Sequence, residues 1–167
     1  MRSPPSSRAN SVFVDSSVLV AAAISHCGLA RDLVVLGLWG TVSLHLSSLV
    51  LLETKRSLRR KRPAALPAFE NLKVPLLAAI VDPPDEAVQK LVGAIETKDT
   101  PIVAAAVQAK SRNLATYDQK HLLRHREQIR REYDITVATP DEILSNVLGS
   151  ERFSVKGTDP DQIDLSM

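Results

Sequence analysis

The chain has 167 residues, enough for one domain with a sizeable core. Hydrophobic residues make up 44% and aromatics only 4%, so that core must be built from Leu, Val, Ile and Ala. The net charge is only +2, and the single cysteine, Cys27, excludes a disulfide within the chain and suits a reducing compartment.

Residues 1–10 carry two arginines, two prolines and several serines, and read as a flexible N-terminal segment. Val12 to Asp15 reads as a short strand of β-branched and aromatic residues. Ser16 or Ser17 can cap a helix through Ile24. Leu29 to Leu38 predicts a second helix ending near Gly40, and Thr41 to Leu46 a strand. Ser47 caps a helix that carries Glu53 and stops before Pro63. Between Pro63 and Pro75 the pattern is ambiguous and reads as one short helix, followed by an edge strand over Leu77 to Val81. Asp85 begins a helix through about Ile95. Asp99 or Thr100 caps the next, with Pro101 in its first turn and an Ala-rich body from Ile102 to Lys110. Leu114 to Tyr117 reads as a strand, Gln119 to about Gln128 as a helix and Ile135 to Ala138 as a strand. Thr139-Pro140-Asp141-Glu142 opens a last helix through Leu148. The remainder, 150–167, reads as a loosely ordered tail around a 11–149 domain.

Strands alternating with helices predict an α/β fold, a three-layer α/β/α sandwich with a mostly parallel sheet. The longest apolar runs, Val18 to Ile24 and Val74 to Val81, are too short to span a bilayer, and no apolar signal segment precedes Asp15. A cytoplasmic protein without membrane association is therefore expected.

Four acids fall at the working ends of these elements. Asp15 ends the first strand, Glu53 lies in the helix after Ser47, Asp99 precedes the Pro-initiated helix, and Asp118 follows Leu114-Ala115-Thr116-Tyr117. In a parallel sheet such positions converge at one edge, where α/β folds bind their ligands. Crowded carboxylates repel, and a multivalent cation is the natural reason to keep them. Two Mg²⁺ or Mn²⁺ ions, roughly 3.5–4 Å apart, can activate water and stabilise the leaving oxygen of a phosphodiester. Each acid also has an ordinary role: Asp15 or Asp99 as a helix cap, Glu53 as a partner of Arg56 or Ser57, Asp118 as a turn former. Those separate roles do not predict that all four share one sheet edge.

Two basic runs follow the acids, one from Lys55 to Arg62 and one through Lys120, Arg124, Arg126, Arg130 and Arg131. A solvated helix face explains either run alone, whereas both beside a carboxylate cluster suit a polyanion. Arg56, Arg59, Lys120 and Arg124 are the candidate phosphate contacts. His121 and His125 have a zinc-compatible spacing but lack the usual intervening Glu and any nearby Cys, so a solvated or RNA-facing pair is the simpler reading. No G-x-S-x-G elbow, P-loop or dinucleotide fingerprint occurs. A phospho-receiver would need a second acid beside Asp15 and a Lys after the last strand, where serines and Thr139-Pro140 stand instead.

Four stretches together carry a resemblance. They are Val12-Phe13-Val14-Asp15-Ser16-Ser17-Val18-Leu19-Val20, Ser47-Ser48-Leu49-Val50-Leu51-Leu52-Glu53, Asp99-Thr100-Pro101-Ile102-Val103-Ala104-Ala105-Ala106, and Leu114-Ala115-Thr116-Tyr117-Asp118. In this order they resemble PIN-domain nucleases, in particular VapC-like toxins of bacterial toxin–antitoxin pairs, over roughly residues 11 to 148. The resemblance implies a Mg²⁺- or Mn²⁺-dependent endoribonuclease leaving 5′-phosphate and 3′-hydroxyl ends. It implies Asp15, Glu53, Asp99 and Asp118 as catalytic metal-binding acids, with Ser17 and Thr116 in support. It further implies a homodimer and a cognate antitoxin whose C-terminal segment covers the acidic pocket, often with an Arg. The chain departs from many relatives at Ser111-Arg112-Asn113, where a Gly is common, and its N-terminal extension is longer than usual. A non-toxin PIN nuclease of RNA processing, or a PIN-like scaffold that binds RNA or a partner without cutting, would share the same acids.

The apolar residues Leu33, Val34, Val35, Leu36, Leu38 and Trp39 cannot all face one core, which suggests a surface for a second copy or an antitoxin.

Overall fold

A computed structural model describes residues 8–96 and 98–152. Four strands form one sheet: β1 (Ser11–Val14), β2 (Ser43–His45), β3 (Asn113–Ala115) and β4 (Thr136–Ala138). Their order is β2-β1-β3-β4 and every pairing is parallel, with Phe13 opposite both His45 and Leu114, and Leu114 opposite Val137. Every residue of β1 and of β3 is buried, so the sheet centre is covered on both faces. The helices that cover it are α1 (Ser16–Ile24), α2 (Leu29–Leu38), α3 (Ser48–Lys61), α4 (Leu66–Leu76), α5 (Asp85–Gln89), α6 (Thr100–Gln108), α7 (Arg126–Tyr133) and α8 (Pro140–Arg152). The result is the three-layer α/β sandwich expected from the alternation of elements. Its core is aliphatic, with Leu19, Leu33, Leu46, Leu58, Leu114 and Ile143 among its largest fully buried side chains, beside Phe13 and Phe69.

The chain leaves β1 for β2 on one side and later returns to β3 on the other. The two central strands therefore diverge from a switch point, and their carboxyl ends open a crevice there. The ladder runs one residue beyond the named strands: Asp15 donates its N–H to the Ala115 carbonyl at 3.0 Å, and Thr116 donates to Ala138 at 3.0 Å. Asp15 and Thr116 are thus fixed by the sheet itself. The close approach of α2 to β2 depends on Gly37, since a Cβ there would lie 2.6 Å from Leu44 Cβ.

Several local expectations are corrected. Asp15, not Ser16 or Ser17, takes the N-cap position of α1, because the strand ends at Val14 and both serines are already helical. Pro75 lies inside α4, in the last turn. Leu77–Ala79 forms a turn of 3-10 helix, and only an isolated bridge between Leu46 and Ile80 remains of the edge strand. The helix from Asp85 ends at Gln89, and Gly93 then turns the chain with φ +90°. Gln119 to His125 is a series of turns and the helix begins at Arg126, because the Asp118 carboxylate captures the N–H groups of Lys120 and His121 at 3.1 Å each. Of the N-terminal segment, Arg8–Asn10 forms one 3-10 turn tied to β3 by Asn113 Nδ2 on the Ala9 carbonyl at 3.1 Å, and residues 1–7 lie outside the described residues. Of the tail, α8 extends to Arg152, and 153–167 lie outside the described residues. At the start of α8 the Glu142 half of a capping box is formed, with the Thr139 N–H donated to Glu142 Oε2 at 3.0 Å.

No single helix among the described residues is long and apolar enough to cross a membrane.

Candidate metal and nucleic-acid site

The crevice at the switch point is a cavity of about 520 Å³ lined by Asp15, Glu53, Asp99 and Asp118. Four separate elements bring these acids together: the end of β1, the middle of α3, the start of α6 and the segment after β3. Ser17 lines the same cavity, and Thr116 is fully buried and bonded to Asp15.

Asp15 is 6% exposed and has a built support. Its Oδ2 accepts from Ser17 Oγ at 2.8 Å and from Thr116 Oγ1 at 2.9 Å. Each hydroxyl has a single proton, so both protons point at Asp15 and the lone pairs face elsewhere. Ser17 Oγ accepts from the Tyr117 N–H at 3.0 Å and Thr116 Oγ1 from the Asp118 N–H at 3.0 Å. The backbone after β3 therefore polarises two hydroxyls toward one carboxylate. Among the described residues Asp15 Oδ1 takes no hydrogen bond, which leaves it free for the cavity. Asp15 makes no side-chain cap to α1, so capping does not account for it.

Asp99 is also at an N-cap position and also makes no side-chain cap bond, here to α6. It is 4% exposed, and its Oδ2 is buried without a hydrogen-bond partner among the described residues. Burial raises its pKa, His121 opposes that shift, and the Asp118 and Glu96 charges add to it. Glu53 is raised in the same sense, by burial first and then by Asp15, against a hydrogen bond from Ser16 and the charges of Lys98 and Arg56. It forms no ion pair with Arg56 or Ser57 hydrogen bond among the described residues, contrary to the ordinary role it had from sequence. Asp118 does have its ordinary role: Oδ1 holds the turn at Lys120 and His121, and among the described residues Oδ2 takes no hydrogen bond.

The test of fit for a divalent ion is chemical. An all-oxygen donor set with one buried carboxylate oxygen that has no hydrogen-bond partner among the described residues is the kind of set a hard divalent ion takes. The donor chemistry thus suits Mg²⁺ or Mn²⁺, while among the described residues no three of these four acids offer ligand atoms within 4.8 Å of one another.

The basic rim differs in part from the sequence expectation. Arg56 lines the cavity, but Arg59, Lys120 and Arg124 do not; Arg60, Lys61 and Lys98 take their place. The reason is helical phase on α3, where Arg60 is four residues after Arg56 and shares its face while Arg59 falls to the side. Beyond β3, the turns of residues 119–125 redirect Lys120 and Arg124. Tyr117, 38% exposed, also lines the cavity.

Two residues were missed as site members. Glu96 lies three residues before Asp99, and His121 three after Asp118. His121 Nδ1 pairs with Glu96 Oε2. Spacing within the sequence suggested a partner for His121 in His125, but the contact is made across the fold.

Comparison with protein-family models, with curated proteins and with solved structures finds no match.

Proposed function

We propose that this protein is a cytoplasmic, Mg²⁺- or Mn²⁺-dependent endoribonuclease of PIN-like type, acting as the toxin of a toxin–antitoxin pair. The observation that carries the reading is that four acids from four elements line one cavity, one of them, Asp99, with a buried oxygen that has no hydrogen-bond partner among the described residues. The toxin role follows from the resemblance of the four motif stretches to VapC-like chains.

Asp15, Glu53, Asp99 and Asp118 would hold the metal. A bound divalent ion supplies a more acidic water and balances charge on a phosphodiester. The remaining work belongs to the chain. Ser17 and Thr116 fix the Asp15 carboxylate through Oδ2, and Oδ1 takes no hydrogen bond among the described residues. Asp118 holds the following turn through one oxygen and offers the other. Arg56, Arg60, Lys61 and Lys98 attract the phosphate backbone of RNA to the mouth. The expected products carry 5′-phosphate and 3′-hydroxyl ends.

The partners in this reading are an RNA substrate, an antitoxin whose C-terminal segment covers the acids with a basic side chain, and a second copy of the chain. The exposed apolar residues Leu29, Leu38 and Trp39 of α2 and its end are the surface proposed for association. Co-purification that yields only free monomer counts against both protein partners.

The test is Asp15→Asn, which keeps an oxygen acceptor for Ser17 and Thr116 while removing the charge. Cleavage of RNA with Mn²⁺ should fall by at least about 100-fold, beyond the usual cost of losing a supporting group alone. Undiminished cleavage ends the assignment of Asp15 as a metal ligand.

A further inference from the structure

We propose that Glu96, Asp99 and His121 form a mixed oxygen–nitrogen cation site that extends the acidic cavity and favours Mn²⁺ over Mg²⁺. This deepens the metal-binding part of the reading above by choosing the ion, and it does not depend on RNA being cut.

Two segments converge here: the turn leading into α6 gives Glu96 and Asp99, and the turn after Asp118 gives His121. One ligand atom from each lies within 4.8 Å of the other two. Ligand atoms around a small divalent ion, at about 2.1 Å each, lie up to ~4.2 Å apart, so a small side-chain movement closes the set on one ion. Among the described residues this is the one group of three acid or imidazole side chains at that spacing.

A second observation points the same way. Asp99 is 4% exposed, and its Oδ2 is buried with no hydrogen-bond donor among the described residues. Such an oxygen is costly unless something positive meets it. The Glu96–His121 contact orients the imidazole beside it. The side chains of His121 and Glu96 are 29% and 53% exposed, so an ion reaches them from solvent. The donor set then bears on Mn²⁺ against Mg²⁺. Mg²⁺ is hard and takes oxygen ligands, whereas an imidazole nitrogen suits a first-row transition ion.

The experiment uses the full chain, freed of metal and titrated with MnCl₂, with bound Mn²⁺ read by electron paramagnetic resonance. Pulsed spectra of the wild-type complex should show coupling to an imidazole ¹⁴N. His121→Ala should lose that coupling and weaken Mn²⁺ binding by about tenfold or more, while Mg²⁺ affinity, measured by competition, stays unchanged. His125→Ala should keep both the coupling and the affinity. Mn²⁺ bound without nitrogen coupling, or coupling that survives in His121→Ala, overturns this site and leaves the oxygen-only cavity standing. No Mn²⁺ binding at all overturns both. The wild-type spectrum needs no variant, so poor folding of His121→Ala does not shelter the claim.

Discussion

The two aspartates that begin α1 and α6 occupy the same kind of position and live in opposite conditions. Asp15 has two hydroxyl donors on one oxygen, each hydroxyl held in turn by a backbone N–H. Asp99 is as deeply buried and has a bare oxygen and a raised pKa. Burial alone therefore does not define a site, because the fold meets the needs of one carboxylate and leaves those of the other open. The unmet one marks where an external cation belongs, and the satisfied one marks where geometry is fixed before the cation arrives.

The comparison breaks most sharply on activity. Asp99→Asn should reduce Mn²⁺-dependent RNA cleavage by at least about 100-fold, like Asp15→Asn. On stability the two sides should then part. Thr116→Val removes a donor to Asp15 and strands the Asp118 N–H, in a residue with no exposure. It should lower unfolding free energy by ~1–3 kcal/mol in metal-free protein, measured by denaturant titration. Asp99→Asn removes an unsatisfied charge, and should raise the melting temperature of metal-free protein by about 2–4 °C. A loss of stability in Asp99→Asn would show that its carboxylate has a partner in the folded protein, and the contrast would fail.

The pH dependence sharpens the same point. Glu53 and Asp99 both have folded pKa values above their ordinary ones. The folded state disfavours their charged forms, so their stabilising contribution is present below the unfolded pKa and is lost as pH rises through the folded value. The melting advantage of Asp99→Asn over wild type should therefore vanish in acid and grow toward neutral pH. Saturating Mn²⁺ should reverse it: at about 100 times its dissociation constant the ion adds about 2.7 kcal/mol to wild type, and Asp99→Asn should gain much less. An advantage that is flat from pH 4 to pH 7 without metal would remove charge as its cause.

What the sequence showed of this contrast follows from how local each signal is. Strand ends, helix caps and the order of elements are written in short windows, so β1, α2 and the start of α3 at Ser47 stand where periodicity put them. That the four acids line one cavity agrees with what parallel topology leads one to expect. The donors to Asp15 were legible only as small polar residues at fixed distances from acids, because the Ser17–Thr116 pairing spans 99 positions. Glu96 and His121 were not legible as a pair for the same reason. The helix expected after Asp118 failed because an Asx turn at that residue outcompetes the helical pattern of Gln119 to Gln128. That failure also misplaced two of the four proposed rim cations.

The rim gives the smallest and most discriminating effect. Lys98 lines the cavity and its charge acts on both Glu53 and Asp99, whereas Lys120 lies outside it on the turn that Asp118 holds. Both are exposed lysines close in space to an acid, and sequence alone favoured Lys120. If phosphate contact depends on lining the cavity, Lys98→Ala should raise the KM for RNA a few-fold, by ~1 kcal/mol or less, and reduce the salt dependence of binding by about one ion. Lys120→Ala should leave both unchanged. Equal effects from the two lysines would mean that the second basic run contributes only a diffuse field, and that the helical face of Arg56 and Arg60 does not define the path of the RNA.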